Sequence, residues 1–196
     1  MQRQEDRRAV IGAVRQPHSL RVGVRLMTFE RPVVMGILNV TEDSFYSGCR
    51  CTDTAALDAR VRQIVSEGAG IIDVGACSTR PGSEPVTPEV ETERVLVALD
   101  RVRAICDTIP ISVDTYRAAV ARRAIEAAGI EIINDISSGE MDADMFPLVA
   151  ETKVGYILTH IQGTPTTMQM APRYDDLMSD ILNFLAQRVM RLQQMG

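Results

Sequence analysis

The sequence predicts an α/β fold of parallel strands joined by crossover helices, and three observations carry that prediction. Short apolar runs alternate along the chain with longer segments whose apolar residues recur at helical spacing, the order that a parallel sheet with crossover helices requires. The 196 residues are 45% hydrophobic and 24% charged, a composition and length that support one globular domain with a sizeable core. Five apolar runs end in polar side chains, at Asn39, Asp73, Asp114, Asn134 with Asp135, and His160. In a parallel α/β fold the carboxyl ends of the strands lie on one side, where sites form.

The elements follow in order. Residues 1–20 are polar without a clear period and read as an extension. From Ser19 to Phe29 the pattern alternates as one or two short strands. Residues 1–24 are thus expected to hold an extension and the start of a hairpin, and 25–196 the main domain. A strand is expected over 33–38. A helix then starts near Asp53, with Leu57, Val61, Ile64 and Val65 on one face, and the glycines of Glu-Gly-Ala-Gly end it. Residues 71–74 form the next strand. Thr87 followed by Pro88, Glu89 and Glu91 opens a helix, with proline at the first position and acids at the positive end of the dipole. It runs to about Asp107, and a strand follows over 109–113. An Ala-rich helix over 116–128 stops at Gly129. A strand over 131–133, a short helix over 145–151, a strand over 154–158 and an amphipathic helix over 175–194 complete the series. The last helix carries Leu177, Ile181, Leu185 and Val189 on one face.

Composition also excludes some functions. With 21 Lys+Arg against 26 Asp+Glu the net charge is −5, and without a basic run nucleic acid is not the expected partner. No apolar run approaches the roughly 18 residues that span a membrane. The charged start, Met-Gln-Arg-Gln-Glu-Asp, is unlike a secretory signal. The four cysteines (Cys49, Cys51, Cys77, Cys106) and two histidines complete no zinc pattern. Thiols in a cytoplasmic protein are the expectation.

Two polar loops accompany the strand-end residues. One, 39–48, follows the first main strand; the other, 77–83, follows the second and sets Arg80 among the hydroxyls of Ser78, Thr79 and Ser83. A fixed guanidinium among hydroxyl donors suits a phosphate or carboxylate. Asn39 with nearby loop oxygens suits a hard cation such as magnesium, Mg²⁺. Each feature has a plainer reading: Asp73 holding a loop, Asn134 capping a turn, His160 as a hydrogen-bonded structural side chain, and both loops as ordinary turns.

Five segments carry a resemblance: MGILNVTEDSFYSG, DVGACSTRPGSEPVTPEVETERV, ISVDTYRAAVARRAI, IINDISSG and THIQGTPTTMQ, in that order. Together they closely resemble the dihydropteroate synthase family of folate biosynthesis, the target of sulfonamides, over about residues 25–196. The resemblance implies a TIM (β/α)8 barrel. It implies condensation of 6-hydroxymethyl-7,8-dihydropterin pyrophosphate with 4-aminobenzoate to give 7,8-dihydropteroate and pyrophosphate. Asn39 matches the family's Mg²⁺ and pyrophosphate ligand. Thr79 and Arg80, with Ser78 beside them, match the mobile loop around pyrophosphate and aminobenzoate. Asp114 and Asn134 match pterin-binding positions, Asp73 is counted with them as substrate-binding, and Ile161 occupies a methionine position of the pterin slot. The implied route is dissociative, so no side chain is nominated as acid or base.

Glu42 stands where the family usually has proline, and Ala76-Cys77 where Gly-Glu often precedes Ser-Thr-Arg-Pro-Gly. The family continues past the fifth barrel strand with further motifs and three more βα units. The expectation is therefore a barrel truncated after its fifth βα unit and inactive alone, with a homodimer expected of the full-length enzyme. Two alternatives remain beside the synthase: a pterin-dependent methyltransferase domain, whose family generally lacks the loop pair, and a non-catalytic pterin-binding remnant.

Overall fold

The computed structural model describes residues 18–22, 25–40, 53–77, 86–165 and 167–196. The expected extension up to residue 17, the loop from Thr41 through Cys51, and Ser78, Thr79, Arg80 and Ser83 lie outside the described residues.

An antiparallel hairpin comes first, β1 (His18–Val22) with β2 (Arg25–Phe29), paired from His18 opposite Phe29 to Val22 opposite Arg25. Then β3 (Met35–Asn39), α1 (Asp53–Ser66), β4 (Ile71–Gly75), α2 (Pro88–Ile105), β5 (Ile111–Asp114), α3 (Ala118–Ala128), β6 (Ile132–Asp135), α4 (Met145–Thr152), β7 (Gly155–Leu158) and α5 (Leu177–Gln194) follow in strict alternation. The five strands β3 to β7 form one parallel sheet in sequential order.

Sequential order with no reversal is the winding of a barrel rather than of a doubly wound sheet. The two faces of the strands bear this out. Side chains alternate between faces, and Leu38, Ile72, Val74, Ile111, Val113 and Ile133 all point one way into the main core. That core is completed by Leu57, Val61 and Ile64 of α1, Val95, Leu99 and Val102 of α2, and Val120 and Ala124 of α3. The helices thus cover a single face. At Gly36 a Cβ would lie 2.5 Å from the Ile64 side chain, so glycine lets α1 press directly on β3. The opposite, concave face carries a smaller cluster, in which Ile71 and Ile132 pack with Met35, Ile157 and Met27 of the hairpin. These are five consecutive βα units of a TIM (β/α)8 barrel, with the hairpin against its amino-end interior.

Local rules place the helix ends. The Thr87 hydroxyl accepts from Val90 N, and Pro88 opens α2. Gly68 and Gly129, both at positive φ, terminate α1 and α3. Several boundaries differ from expectation by about two residues: β3 begins at Met35, α2 ends at Ile105, β5 begins at Ile111, α3 at Ala118 and α5 at Leu177, and β6 extends to Asp135. Pro110, with no amide hydrogen, precedes the first ladder residue of β5. The expected apolar face of α5 is only partly used. Ile181 and Leu185 are half-buried, whereas Leu177 and Val189 are 51% and 42% exposed. Leu192 packs on the core and the Arg188 guanidinium covers the Phe184 ring, so α5 docks through residues one or two positions away from the expected stripe. Among the described residues no helix is long and apolar enough to cross a membrane.

Candidate active site

The polar strand ends meet on the concave face. Asn39, Gly75, Asp114 and Asn134 stand opposite one another in register across β3 to β6, and one tier below come Asp73 and Ser112. Period-two alternation turns all of them inward, away from the helices. Asn134 Nδ2 donates to Asp73 Oδ2 at 3.0 Å. Asp73 is buried, and its Oδ1 has no hydrogen-bond partner among the described residues. The buried Ser112 hydroxyl beside it likewise has none. Orphaned buried oxygens are uncommon in native folds and mark positions where a ligand or ordered water completes the set.

Gly75 makes room for this arrangement. A Cβ there would lie 3.1 Å from Asn39 Oδ1 and 3.5 Å from Asp114 Oδ2, so both side chains reach over bare backbone. Burial, followed by the charges of Asp73, Glu91 and Asp135, raises the Asp114 carboxyl to about 7. Two inward carboxyls, one holding its proton to near neutrality, stand next to an amide that both donates and accepts. This rim can pair with the edge of a heterocycle that alternates N–H groups and acceptors.

Other expected residues go elsewhere. Asp135 faces the helix side, where it accepts from Ser137 N (2.7 Å), Ser137 Oγ (2.8 Å), Gly139 N (2.8 Å) and Tyr156 OH (2.5 Å). It braces the turn after β6. The resulting burial and carboxylate charge push the Tyr156 hydroxyl above its ordinary pKa. His160 is set in an aromatic cluster, 4.8 Å from the Phe184 ring and 5.7 Å from the Tyr174 ring. Ile161 is half-buried just beyond β7.

Sequence reasoning missed a buried network behind the rim. Glu91, taken as a dipole acid, is fully buried and paired with Arg117. Thr115 Oγ1 donates to Glu91 Oε1 at 2.6 Å, and Arg117 also donates to the Val86 carbonyl at 2.9 Å. The signal lay in helical phase, because Glu91 shares a face with the buried Val95, Ala98 and Val102. At the amino ends of the strands, Arg103 donates to the carbonyls of Ala128, Asp107 and Ile109 and pairs with Glu131, which accepts from Ile111 N.

No group of three or more His, Cys, Asp or Glu is gathered around a metal position among the described residues. The donor chemistry at Asn39 is instead that of a single neutral oxygen, which fits Mg²⁺, an ion that keeps several waters and takes few protein ligands.

Comparison with known proteins places this architecture. A dihydropteroate synthase from Synechocystis sp. is 40% identical over 174 residues, covering 88% of this chain and 60% of that protein. The crystal structure of Yersinia pestis dihydropteroate synthase with a sulfonamide drug complex superposes with a TM-score of 0.79 at 36% identity, over 91% of this chain and 64% of that one. Burkholderia cenocepacia dihydropteroate synthase complexed with 7,8-dihydropteroate gives 0.76 at 36% identity, over 92% and 60%. The chain thus spans about 60% of the length of these relatives. The profile described as pterin binding enzyme matches residues 35–196, from β3 to the end of α5 and through every inward polar residue described above, and the chain belongs to that family.

Proposed function

We propose that residues 25–196 supply the pterin- and pyrophosphate-binding face of a dihydropteroate synthase, which joins 6-hydroxymethyl-7,8-dihydropterin pyrophosphate to 4-aminobenzoate and releases pyrophosphate. One observation carries the reading: the inward Asp73–Asn134–Asp114 rim, with a buried acceptor at Asp73 Oδ1 awaiting a donor. A pterin edge presents an amino group and a ring N–H beside ring acceptors. Asp114 and Asp73 accept from the donors, and the Asn134 amide answers the acceptors. On the same concave face Ile157 stands opposite Asn134 and Ile132 is level with Ser112 and Asp73, and Ile161 is assigned to the pterin slot. The relatives support the substrate class, since they include a synthase complexed with 7,8-dihydropteroate.

Catalysis in this reading is electrostatic. As the carbon–oxygen bond to pyrophosphate breaks, positive charge develops on the pterin, and the Asp73 and Asp114 carboxyls stand where they stabilise it. The neutral arylamine then attacks, and position matters more than a strong base. Ser78, Thr79 and Arg80 are assigned to pyrophosphate and aminobenzoate. Mg²⁺, when bound, neutralises charge on the departing pyrophosphate, and Asn39 is the residue that would hold it. The partners are these small molecules, and the complete enzyme is read as a cytoplasmic homodimer.

Calorimetric titration of the chain with the pterin pyrophosphate and Mg²⁺, followed by an assay with 4-aminobenzoate, tests the reading. Binding that Asp114→Ala weakens about ten-fold or more, the loss of one charge-assisted hydrogen bond, is expected, without turnover by this chain alone. Absence of binding overturns the site assignment. Turnover by the chain alone overturns the need for further βα units. Methyl transfer from methyltetrahydrofolate to a corrinoid would move the chain to the methyltransferase branch.

A further inference from the structure

The ladder between β6 and β7 ends at the pair Asp135 and Leu158, and a side chain takes over from there. Ser138, in the turn after β6, donates its hydroxyl to the Thr159 carbonyl at 2.8 Å and accepts the Thr159 amide at 2.7 Å. One Oγ thus satisfies both backbone groups of the residue that follows β7, as a paired strand would. The backbone is strained to allow it. Ser138 is buried and sits at φ 50°, one of three non-glycine residues at positive φ among the described residues, a conformation that glycine adopts more readily. The turn is fixed on two further sides. Asp135 accepts from Ser137 N at 2.7 Å and Gly139 N at 2.8 Å, and a Cβ at Gly139 would lie 2.5 Å from the Phe146 ring of α4. Beyond Thr159, the His160 ring meets Phe184, and the Gln162 amide exchanges two hydrogen bonds with the Arg173 backbone, at 2.7 and 3.0 Å. Ile161 stands between these two held residues.

We infer that Ser138 is a positioning residue: its hydroxyl carries the β6–β7 pairing past the end of the ladder and sets where Thr159 to Gln162, Ile161 among them, stand beside the rim. A strained backbone position persists only where the surrounding interactions over-determine it, and a hydroxyl that donates and accepts at once is such an interaction. Glycine would suit the backbone and alanine would nearly fill the space, but neither offers the two bonds. Asn134 lies on the amino side of the turn, and Ile161 comes two residues after the tethered Thr159. The bond therefore ties the polar rim to the residue assigned to the pterin slot. Only this last link rests on the function proposed above; the tether of Thr159 does not.

Site-resolved amide hydrogen exchange of the intact chain, read by NMR, tests the inference. The Thr159 amide is the reporter. The Gly155 amide, held by the Glu131 carbonyl at 2.9 Å at the start of the same strand, is the internal reference. Ser138→Gly removes the hydroxyl and relieves the positive φ, whereas Ser138→Ala removes the hydroxyl and keeps the strain. The expected result in both variants is a rise of about ten-fold in the Thr159-to-Gly155 exchange ratio, the change in local opening that one lost backbone hydrogen bond brings. An unchanged ratio in both variants overturns the tether. So does equal acceleration at both amides, because a fold that is merely destabilised opens them together. A rise confined to one variant assigns the effect to backbone conformation and overturns it as well. Calorimetry with the pterin pyrophosphate and Mg²⁺ forms the second arm, in which Ser138→Gly is expected to bind about five-fold more weakly than the wild type. Unchanged affinity in a variant whose Thr159 amide has opened overturns the link to the rim. Absence of binding by the wild type overturns the pterin reading instead, while the exchange ratio still decides the tether.

Discussion

Asn134 Nδ2 donates to Asp73 Oδ2 at 3.0 Å, joining β6 to β4 across the inner surface of the intervening β5. A flat sheet would hold side chains two strands apart out of reach, since neighbouring strands are about 4.8 Å apart. The bond thus reports the inward curvature of the barrel wall as much as the polarity of the site. It also leaves Asp73 with one satisfied oxygen and one buried oxygen without a hydrogen-bond partner among the described residues.

Asn134→Ala removes the described donor to Asp73 and leaves a buried carboxylate short of partners. The expected cost is about 1–3 kcal/mol of folding stability. Asn134→Asp is expected to cost more than Asn134→Ala, because it sets a third carboxylate beside Asp73 and Asp114. Urea unfolding at pH 7.5 measures both, and a smaller cost for Asn134→Asp would count against this crowding of carboxyls.

Asp114 makes stability depend on pH in a defined direction. Its carboxyl rises from 3.8 to about 7, chiefly through burial and then through the charges of Asp73, Glu91 and Asp135. Between those values the native state holds a proton that the unfolded chain has released. The contribution of Asp114 to stability is therefore full below the unfolded value and is lost as pH rises through the folded one. Asp114→Asn should gain on the wild type by roughly 2–4 kcal/mol between pH 4 and pH 8. Ligand affinity runs the other way, because donors on a pterin edge bind the ionised carboxylate. Titrations at pH 6 and pH 8 should show tighter binding at pH 8 in the wild type and a flat profile in Asp114→Asn.

The strand ends and helix caps were legible in the sequence because they obey local rules. Thr87-Pro88, Gly129 and the inward polar positions Asn39, Asp114 and Asn134 all fall where period and capping put them. What was not legible depends on partners distant in sequence. Glu91 reads as a surface acid until Arg117, 26 residues away, is brought against it. Asp135 reads like Asn134, yet one residue of alternation sends it to the opposite face, where Tyr156 and the Ser137 turn take it up. In α5 the half-exposed Leu177 and Val189 show that an apolar stripe gives a helix's phase without fixing which of its residues find neighbours.

Arg103 tests the division of labour between the two ends of the strands. It gathers the carbonyls of Ala128, Asp107 and Ile109 together with Glu131 at the amino ends of β5 and β6, the end that in barrels serves stability. Arg103→Met should cost about 2–4 kcal/mol in urea unfolding through these lost charge-assisted bonds. Pterin affinity of the folded fraction should remain within about two-fold of wild type, because the rim at the opposite strand ends keeps its geometry.

Gly75→Ala makes the complementary case, a substitution that should spare the fold and damage the site. Gly75 pairs in register between Asn39 and Asp114, and a methyl group there would press on Asn39 Oδ1 at 3.1 Å and approach Asp114 Oδ2 at 3.5 Å. Neither contact is with backbone, so the side chains can swing aside, and stability should change by no more than about 1 kcal/mol. Asn39, at the exposed end of β3, has the freer path and should move furthest. If Asn39 holds Mg²⁺ beside pyrophosphate, its displacement weakens the metal-dependent part of binding and leaves the rest. Calorimetry with the pterin pyrophosphate should then show a loss of about ten-fold in Gly75→Ala with Mg²⁺ present. Without the metal the wild type and variant should differ by much less. Equal losses with and without Mg²⁺ would assign the damage to Asp114 instead and remove Asn39 from the metal.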